Sequence, residues 1–524
     1  MAYYALLSVS HVLENTLHHD DRYLIHDEKQ KSSFLLEKVR FLLDFLDNSS
    51  QKSIKAIESL ESRIRDAAYK AGDIIESHIR RRYFQESKHQ KEKNFFSILQ
   101  DELAKVIKEI DTIKKMVDNM EDETDVQDLH RRTSSLVASS KSPRNLESKM
   151  VGLDDSMRKI RNQLTRGPSN LITVSIVGMG GIGKTTLARK VYEDEIILSH
   201  FHIRAWVTVS RDYKFYNTKE IFLSLLDSMG KLTIQDHEKT LEELKQLFRK
   251  KLLGTTFLIV MDDVWDTKVW DRVKRLFSNN NDKSRIMMTT RLGSVARKVS
   301  PPPQGPHHMR FLTEEESWSL FCANVFGKDR CPCELEPVGK KIVQNCRRLP
   351  LAIVVVAGLL SKATRTVHHW TNVGENLSSL IDSNGEQCSK ILSLSYKNLP
   401  HHLKACFLYF GIFQKYSDIN VSTLFKLWVA EGFINSAENK TLEDMAEENL
   451  LDLVDRNLIL VSERSSIGKI KTCMIHDLLH DLCVREVQRE KFFHVTDWNL
   501  HSIPNGNSLR RLILPSVSVK SSTD

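Results

Sequence analysis

The chain has 524 residues, of which 41% are hydrophobic, enough for about three or four domains of ~150 residues with packed cores. Its formal charge of +8 is the balance of 76 basic against 68 acidic residues, a mixed surface that speaks against a basic nucleic-acid arm. The eight cysteines are scattered, with Cys331-Pro-Cys333 the one close pair, which argues against a disulfide scaffold or a zinc finger. No cleavable signal pattern opens the chain, and the longest wholly apolar run, Leu351 to Leu360, is about half the ~20 residues that a membrane span requires. The chain reads as soluble and intracellular.

Residues 1–120 read as a helical bundle. Leu6, Leu7, Leu13 and Leu17 outline a first amphipathic helix, and Phe34 to Leu46 a second with a wider apolar face. Ile57, Leu60, Ile64, Ala67, Ala71 and Ile74 form a third seam at helical spacing; Leu99, Leu103, Val106, Ile110, Ile113 and Val117 form a fourth. Such seams need partners, and several within one segment close on one another. The basic cluster Arg80-Arg81-Arg82, Lys88, Lys91 and Lys93 lacks organised aromatic stacking positions and reads as a solvated loop. Residues 121–148, polar and Ser-rich with Pro143, read as a linker.

The apolar run Leu171 to Val177 leads into Gly178-x-x-x-x-Gly183-Lys184-Thr185, and a helical pattern follows. This strand–loop–helix order is that of a phosphate-binding loop. Glycines allow backbone N–H groups to converge on phosphate oxygens, and the helix adds the positive end of its dipole. Lys184 is placed to reach the β- and γ-phosphates, and Thr185 to hold Mg2+.

Further on, Ala205 to Val209 predicts a strand, and Thr218 to Ser228 and Leu241 to Leu252 predict helices. Phe257 to Met261 then reads as a buried strand delivering Asp262 and Asp263 to its C-terminal end. Asp262 there would accept Mg2+ through water, and Asp263 would orient an attacking water. Arg285 to Arg291 predicts another strand, whose Arg291 either reaches the γ-phosphate or is a surface arginine. After the prolines at 301–303 and 306, helices are predicted at Glu314 to Val325 and Leu335 to Asn345, with an apolar helical or buried segment from Leu349. Leu392 to Tyr396, Leu403 to Phe413 and Leu424 to Ala430 are again helical in pattern. Leu458 to Val461 and Ile470 to Met474 flank the turn at Ser465-Ser466 as a hairpin. A hairpin after helices is a winged-helix signature and raises a DNA-binding hypothesis.

Taken in order, these motifs resemble the central module of plant intracellular immune receptors of the coiled-coil, nucleotide-binding, leucine-rich-repeat class, which are STAND ATPases. Gly178 to Thr186 is similar to the phosphate loop of that family, Leu258 to Trp265 to its Mg2+ strand and Thr289-Thr-Arg291 to its sensor. Phe311 to Phe321 is similar to the opening of its helical subdomain. Leu349-Pro-Leu-Ala352, Cys406 to Phe410, Leu427 to Phe433 and Ile475-His-Asp477 complete the series. The implied fold is multidomain α and α/β. It comprises the helical domain (1–120), a P-loop nucleotide domain (149–305), a helical subdomain (306–385), a winged-helix subdomain (386–495), and the start of a repeat region (496–524).

The resemblance implies nucleotide contacts from Val151, Gly178, Gly180, Gly181, Ile182, Gly183, Lys184, Thr185, Thr186, Arg291, Pro350 and His476. It gives Lys184, Asp262 and Asp263 the catalytic roles, Thr185 and Asp262 the Mg2+, and His476 with Asp477 the lock on a closed, ADP-bound state. ATP marks the active state, so the chain is implied to be a switch with weak ATPase activity. Implied partners are a pathogen effector or guarded host protein, a helper receptor, and further copies joined through the helical and nucleotide domains. The implied location is cytoplasmic, with peripheral plasma-membrane contact on activation, and the winged helix acts as a lid, which leaves nucleic acid disfavoured as a partner. A truncated, non-switching decoy of a full-length receptor and a nucleotide-gated DNA-binding regulator are the alternatives.

Three departures from the family pattern stand out: Arg348 where glycine is common, Ile475 for methionine, and Gly72 at an acidic position. The start, Met1 to Leu7, lacks the pattern of pore-forming receptors, which suggests a sensor working through a helper. Leu509 to Leu514 hints at a first leucine-rich repeat before the chain stops, in a short natural form or a partial chain.

Overall fold

Whether a strand lies inside or at the edge of the sheet can be read from its burial. In the computed structural model, β1 (Ile172–Val177), β3 (Phe257–Asp262) and β4 (Arg285–Thr290) are buried almost throughout, whereas β2 (Ile203–Thr208) alternates buried and half-buried residues. Continuous apolar runs belong to parallel strands covered on both faces; alternation marks a strand with one face towards water. The sheet has the order β2-β3-β4-β1-β5, all parallel, with β2 at one edge. The short β5 (His307–His308) pairs with β1, so the sheet continues past the prolines to residue 308.

The structure describes residues 2–18, 26–48, 54–85, a few positions in 108–116, 151–495 with short gaps (167–168, 210–217, 231, 275–276, 278–282, 380–386, 435–439, 491 and 493), and 512–513. Arg80 to Arg82, expected in a loop, lie within the helix Ile54–Gln85; the expected linker, Lys88, Lys91, Lys93 and most of the fourth helical seam lie outside the described residues. Among the latter, Ile113 is described, and it is buried.

Helices α1 (Ala2–His18), α2 (His26–Asn48) and α3 (Ile54–Gln85) form the N-terminal unit. Its core joins Leu6, Val9 and Leu13 to Leu35, Val39, Leu42 and Leu46, and to Leu60, Ile64, Ala67 and Ala71. The alanines let α1 and α3 approach, whereas at Gly72 a Cβ would fit in ordinary contact with Val9 at 3.6 Å. Two positions differ from the expected faces. Phe34 is 51% exposed, and Ile75 rather than Ile74 takes the fully buried place in α3, because the face drifts against a strict three–four spacing over a long helix.

In the nucleotide domain, α4 (Asp154–Thr165), α5 (Lys184–Tyr192), α6 (Glu195–His200), α7 (Thr218–Ser228), α8 (Leu241–Leu252), α9 (Thr267–Lys274) and α10 (Gly293–Val299) surround the sheet. The helical segment holds α11 (Glu314–Val325), α12 (Glu336–Asn345), α13 (Pro350–Ser361) and α14 (Val367–Ser379). The run from Leu349 is therefore a helix, buried nearly all round. Then come α15 (Gln387–Lys397), α16 (His401–Leu408), α17 (Val421–Ala430) and α18 (Leu442–Asp455). A three-stranded sheet of order β6-β8-β7 follows, built from β6 (Ile419–Asn420), β7 (Ile459–Arg464) and β8 (Ile470–Ile475) and closed by α19 (Asp477–Arg489). Capping boxes fix three α-helix starts, Thr240 with Glu243, Thr313 with Glu316 and Thr441 with Asp444, each satisfying backbone N–H groups that the first turn leaves open.

Tyr3 and Tyr4 of α1 reach the winged-helix side. Tyr3 stacks on His401, Tyr4 meets Phe433 edge-on, and the Tyr4 hydroxyl donates to the His402 carbonyl. Arg65 of α3 pairs with Glu490 at 3.1 Å. Near the chain end, β9 (His494–Val495) and β10 (Leu512–Ile513) pair in parallel, and β10 lies in the segment Leu509 to Leu514 that hinted at a repeat. Among the described residues no helix is long and apolar enough to cross a membrane, and all eight cysteines are free thiols.

Candidate nucleotide site

Because β1, β3 and β4 are parallel, their C-terminal ends open on one side of the sheet, and the residues that follow them share a crevice. β1 delivers the loop 178–183, β3 ends at Asp262 with Asp263 next, and Arg291 follows β4. The glycines of the loop are needed for different reasons. Gly181 and Gly183 have φ of +74° and +99°, a left-handed backbone that a Cβ disfavours. A Cβ on Gly180 would lie 2.9 Å from Arg291 Nη1, and one on Gly181 2.9 Å from Leu351 Cβ. A Cβ on Gly178 would meet Ile182 and Met309 at 3.0 Å. Ile182 is buried against the helical segment, and Val151 packs at the margin of the same cluster.

Gly183 stands at the N-terminus of α5 without a side chain to cap it, so the first-turn N–H groups are available to an anion. The Lys184 ammonium donates to the Met179 carbonyl across the loop at 2.9 Å. Burial, reinforced by the Arg291 charge, lowers its pKa to about 8. The Thr185 hydroxyl lies 3.0 Å from each Asp262 oxygen, while Thr186 is exposed. Thr289 also donates to Asp262. Asp262 is buried, and burial pushes its pKa up despite the hydroxyls from Thr289 and Thr185. These donors fit the expected ligands. A glycine cradle, an ammonium and open N–H groups suit phosphates. One hydroxyl and one carboxylate, all oxygen, suit Mg2+, which keeps several waters and borrows phosphate oxygens rather than needing a protein cage. Among the described residues no group of three His, Cys, Asp or Glu side chains is placed to hold a metal ion.

The winged-helix side closes over this floor. The Arg291 guanidinium pairs with Asp477 at the first position of α19, lies 3.5 Å from Asp263 and covers the Trp265 ring at 4.8 Å. His476 caps α19, its Nδ1 accepting the Leu478 N–H at 3.2 Å. Burial and the charges of Arg291 and Lys184 lower its pKa to about 4, so the imidazole is neutral near pH 7. Pro350 opens α13, and the neighbouring Leu351 N–H donates to the Gly181 carbonyl at 3.2 Å. Lys184, Thr185, Asp262, Asp263, Arg291, His476 and Asp477 thus converge, with Val151, Ile182 and Pro350 at the helical-segment side.

Sequence reasoning missed Thr289, Trp265, Leu351 and Tyr416. The first three lie inside or beside the quoted motifs. Tyr416 had no local signal. Its hydroxyl donates to Asp263 Oδ2 at 2.6 Å, and burial with the Asp263 charge pushes the phenol pKa upward. Arg348 adopts φ +61°, which explains why glycine is common at that position. Its guanidinium turns outward to Glu314 at 2.7 Å, with both side chains more than half exposed, so it does not enter the crevice.

The NB-ARC domain model matches residues 153–331, and the disease resistance protein winged helix domain model matches residues 412–483. The putative late blight resistance protein homolog R1B-12 of Solanum demissum is 40% identical over 409 residues, covering 77% of this chain and 29% of its own length. The homolog R1B-16 from the same plant is 40% identical over 391 residues, covering 74% of this chain and 30% of its own length. A late blight resistance protein, also from S. demissum, is 40% identical over 393 residues, covering 74% of this chain and 30% of its own length. The chain therefore spans under a third of the length of these relatives. Among solved structures, Cdc6p of Pyrobaculum aerophilum is similar at TM-score 0.32 and 13% identity, covering 67% of this chain and 97% of that one, a likeness too loose to carry an argument. A P-loop NTPase fold of the NB-ARC type implies nucleotide binding. The chain thus carries an NB-ARC domain followed by a disease resistance protein winged helix domain, and it is homologous over that region to late blight resistance proteins of a plant.

Proposed function

We propose that the chain is a nucleotide-operated switch in plant innate immunity, closed with ADP at rest and open with ATP when active. Recognition of a pathogen effector or guarded host protein drives the opening, which triggers hypersensitive cell death. The observation that carries this reading is the pairing of Arg291 with Asp477 beside Gly180, which ties the winged-helix domain to the edge of the phosphate loop. Lys184 and the loop N–H groups would hold phosphates, and Thr185 with Asp262 would hold Mg2+. A bound nucleotide supplies negative charge at the loop, and a third phosphate supplies more of it beside Arg291.

Arg291 then has two alternative anionic partners, Asp477 in the closed state and phosphate in the open one, and a switch requires such a difference in contacts between its states. His476, neutral and at the start of α19, adds a contact to the closed state that is lost with it. The start of α19 faces the phosphate loop, which favours a lid over a DNA reader. Asp263 would orient water in the slow hydrolysis that returns the switch to rest. Self-association through the helical and nucleotide domains, a helper receptor, and cytoplasmic location with peripheral plasma-membrane contact belong to the same reading.

The test is the identity and amount of nucleotide co-purifying with wild type, Lys184→Ala and Asp477→Val. The reading expects near-stoichiometric ADP in wild type, loss with Lys184→Ala and a shift towards ATP with Asp477→Val. A folded wild-type protein that stays empty when incubated with ADP and Mg2+ would sink it.

A further inference from the structure

Asp263 gathers partners from both sides of the crevice. Its Oδ2 accepts from the Tyr416 hydroxyl at 2.6 Å and from the Trp265 indole N–H at 2.9 Å, and its Oδ1 lies 3.5 Å from Arg291 Nε. Its own N–H donates to Thr289 at 2.8 Å. Trp265, Arg291 and Thr289 all belong to the nucleotide domain. Tyr416 does not: it lies in the loop that leads into β6 of the winged-helix sheet, 153 residues along the chain from Asp263. It also holds a left-handed backbone, φ +63°, which is costly to a residue with a Cβ. The neighbouring Lys415 anchors the loop to α19 through Asp481 at 2.5 Å.

We infer that Tyr416 is a positioning residue through which the winged-helix domain masks Asp263, a second tie between the domains, separate from Arg291–Asp477. This deepens the proposed switch and rests on it for its hydrolytic consequence alone. With donors from both Tyr416 and Trp265, Oδ2 has its two lone-pair directions filled and cannot take a hydrogen bond from water as well. While the lid is closed, Oδ2 is unavailable to water; when the lid leaves, Tyr416 leaves with it and Oδ2, keeping the Trp265 donor, regains one acceptor position. One phenolic hydroxyl therefore couples lid position to readiness for hydrolysis. The two ties differ in kind: Arg291–Asp477 is an exchangeable ion pair, whereas Tyr416 offers Asp263 a neutral donor that phosphate charge does not compete for.

The experiment compares wild type, Tyr416→Phe, Asp263→Ala and the double variant of the full chain. Tyr416→Phe removes one oxygen and keeps the ring, so folding is preserved. In the nucleotide-free chain, amide hydrogen exchange over residues 414–418 is expected to rise about tenfold in either single variant, the scale of one hydrogen bond to a charged group. It is expected to rise no further in the double variant, because both changes delete the same contact. In single-turnover hydrolysis with ATP and Mg2+, Tyr416→Phe is expected to be several-fold faster than wild type, and to give no gain in the Asp263→Ala background.

Unchanged exchange in Tyr416→Phe, or equal and additive rises in the double variant, would overturn the inference. So would faster hydrolysis that persists without Asp263. If wild type binds no nucleotide while the exchange arm behaves as expected, the switch reading fails and the Tyr416–Asp263 tie stands as a structural contact, without the masking role.

Discussion

The nucleotide domain brings Lys184, Asp262 and Arg291 to the crevice on the ends of three neighbouring parallel strands, so strand register alone sets their spacing. The winged-helix domain sends Tyr416, His476 and Asp477 to the same place from a loop and a helix start that are distant in the chain. Their positions depend on how the domain docks. That docking runs through the helical segment: Gly358 of α13 lies so close to the end of α18 that a Cβ would sit 2.0 Å from the Arg456 carbonyl oxygen. Asn457 donates to the Val354 carbonyl at 3.2 Å, and Lys362 pairs with Asp455 at 2.8 Å. The floor of the crevice is a local construction, and its lid a global one. Damage to each should therefore have a different reach.

The largest expected effect separates lid from floor. Gly358→Ala must push α13 away from backbone that has no rotamer to yield, which is expected to cost about 3 kcal/mol. Differential scanning calorimetry should show the winged-helix and helical parts melting earlier while the nucleotide domain is little altered; a uniform loss would erase the distinction. Lys184→Ala acts the opposite way. Removing a charged donor is expected to weaken ADP affinity roughly 100-fold, measured by titration calorimetry, with hydrogen exchange across α18 and α19 unchanged in the nucleotide-free chain.

A pH series sharpens the comparison at a middle scale. His476 has a folded pKa of about 4 against an ordinary 6.5. Between those values the unfolded chain binds more protons than the folded one, so stability rises with pH there. The contribution is complete above pH 6.5 and is lost as pH falls towards 4. In nucleotide-free protein, the melting temperature should fall less between pH 7 and 5 in His476→Gln than in wild type. His401, with a pKa pushed down to about 3 by burial, leaves a residual slope in both. The smallest effect belongs to Arg348→Gly, which relieves a left-handed backbone and gives up an exposed ion pair. A gain of under about 1 kcal/mol is expected from chemical denaturation, with nucleotide affinity the same.

Much of the fold was legible in the sequence because its signals are local. Buried apolar runs marked β1, β3 and β4, and helices such as Thr218–Ser228, Leu241–Leu252 and Glu314–Val325 occupy their expected spans. The β7–β8 hairpin forms around its expected turn. Helices α6, α9, α10, α14 and α18 were not anticipated, and β5 is too short to carry a period.

What the sequence by itself determined is the phosphate loop and its chemistry. Gly178 to Thr185 specify a backbone path through glycine conformations and a helix start, and Asp262 ends a strand that must lie in the same sheet. Tertiary structure alone decided who meets Asp263 and Arg291. Tyr416 and Asp477 are ordinary residues in their own segments. They acquire their places when α13 and α18 pack backbone to backbone, because contact across domains depends on the docking angle, and a docking angle is the sum of many weak packing terms that no short stretch of sequence contains.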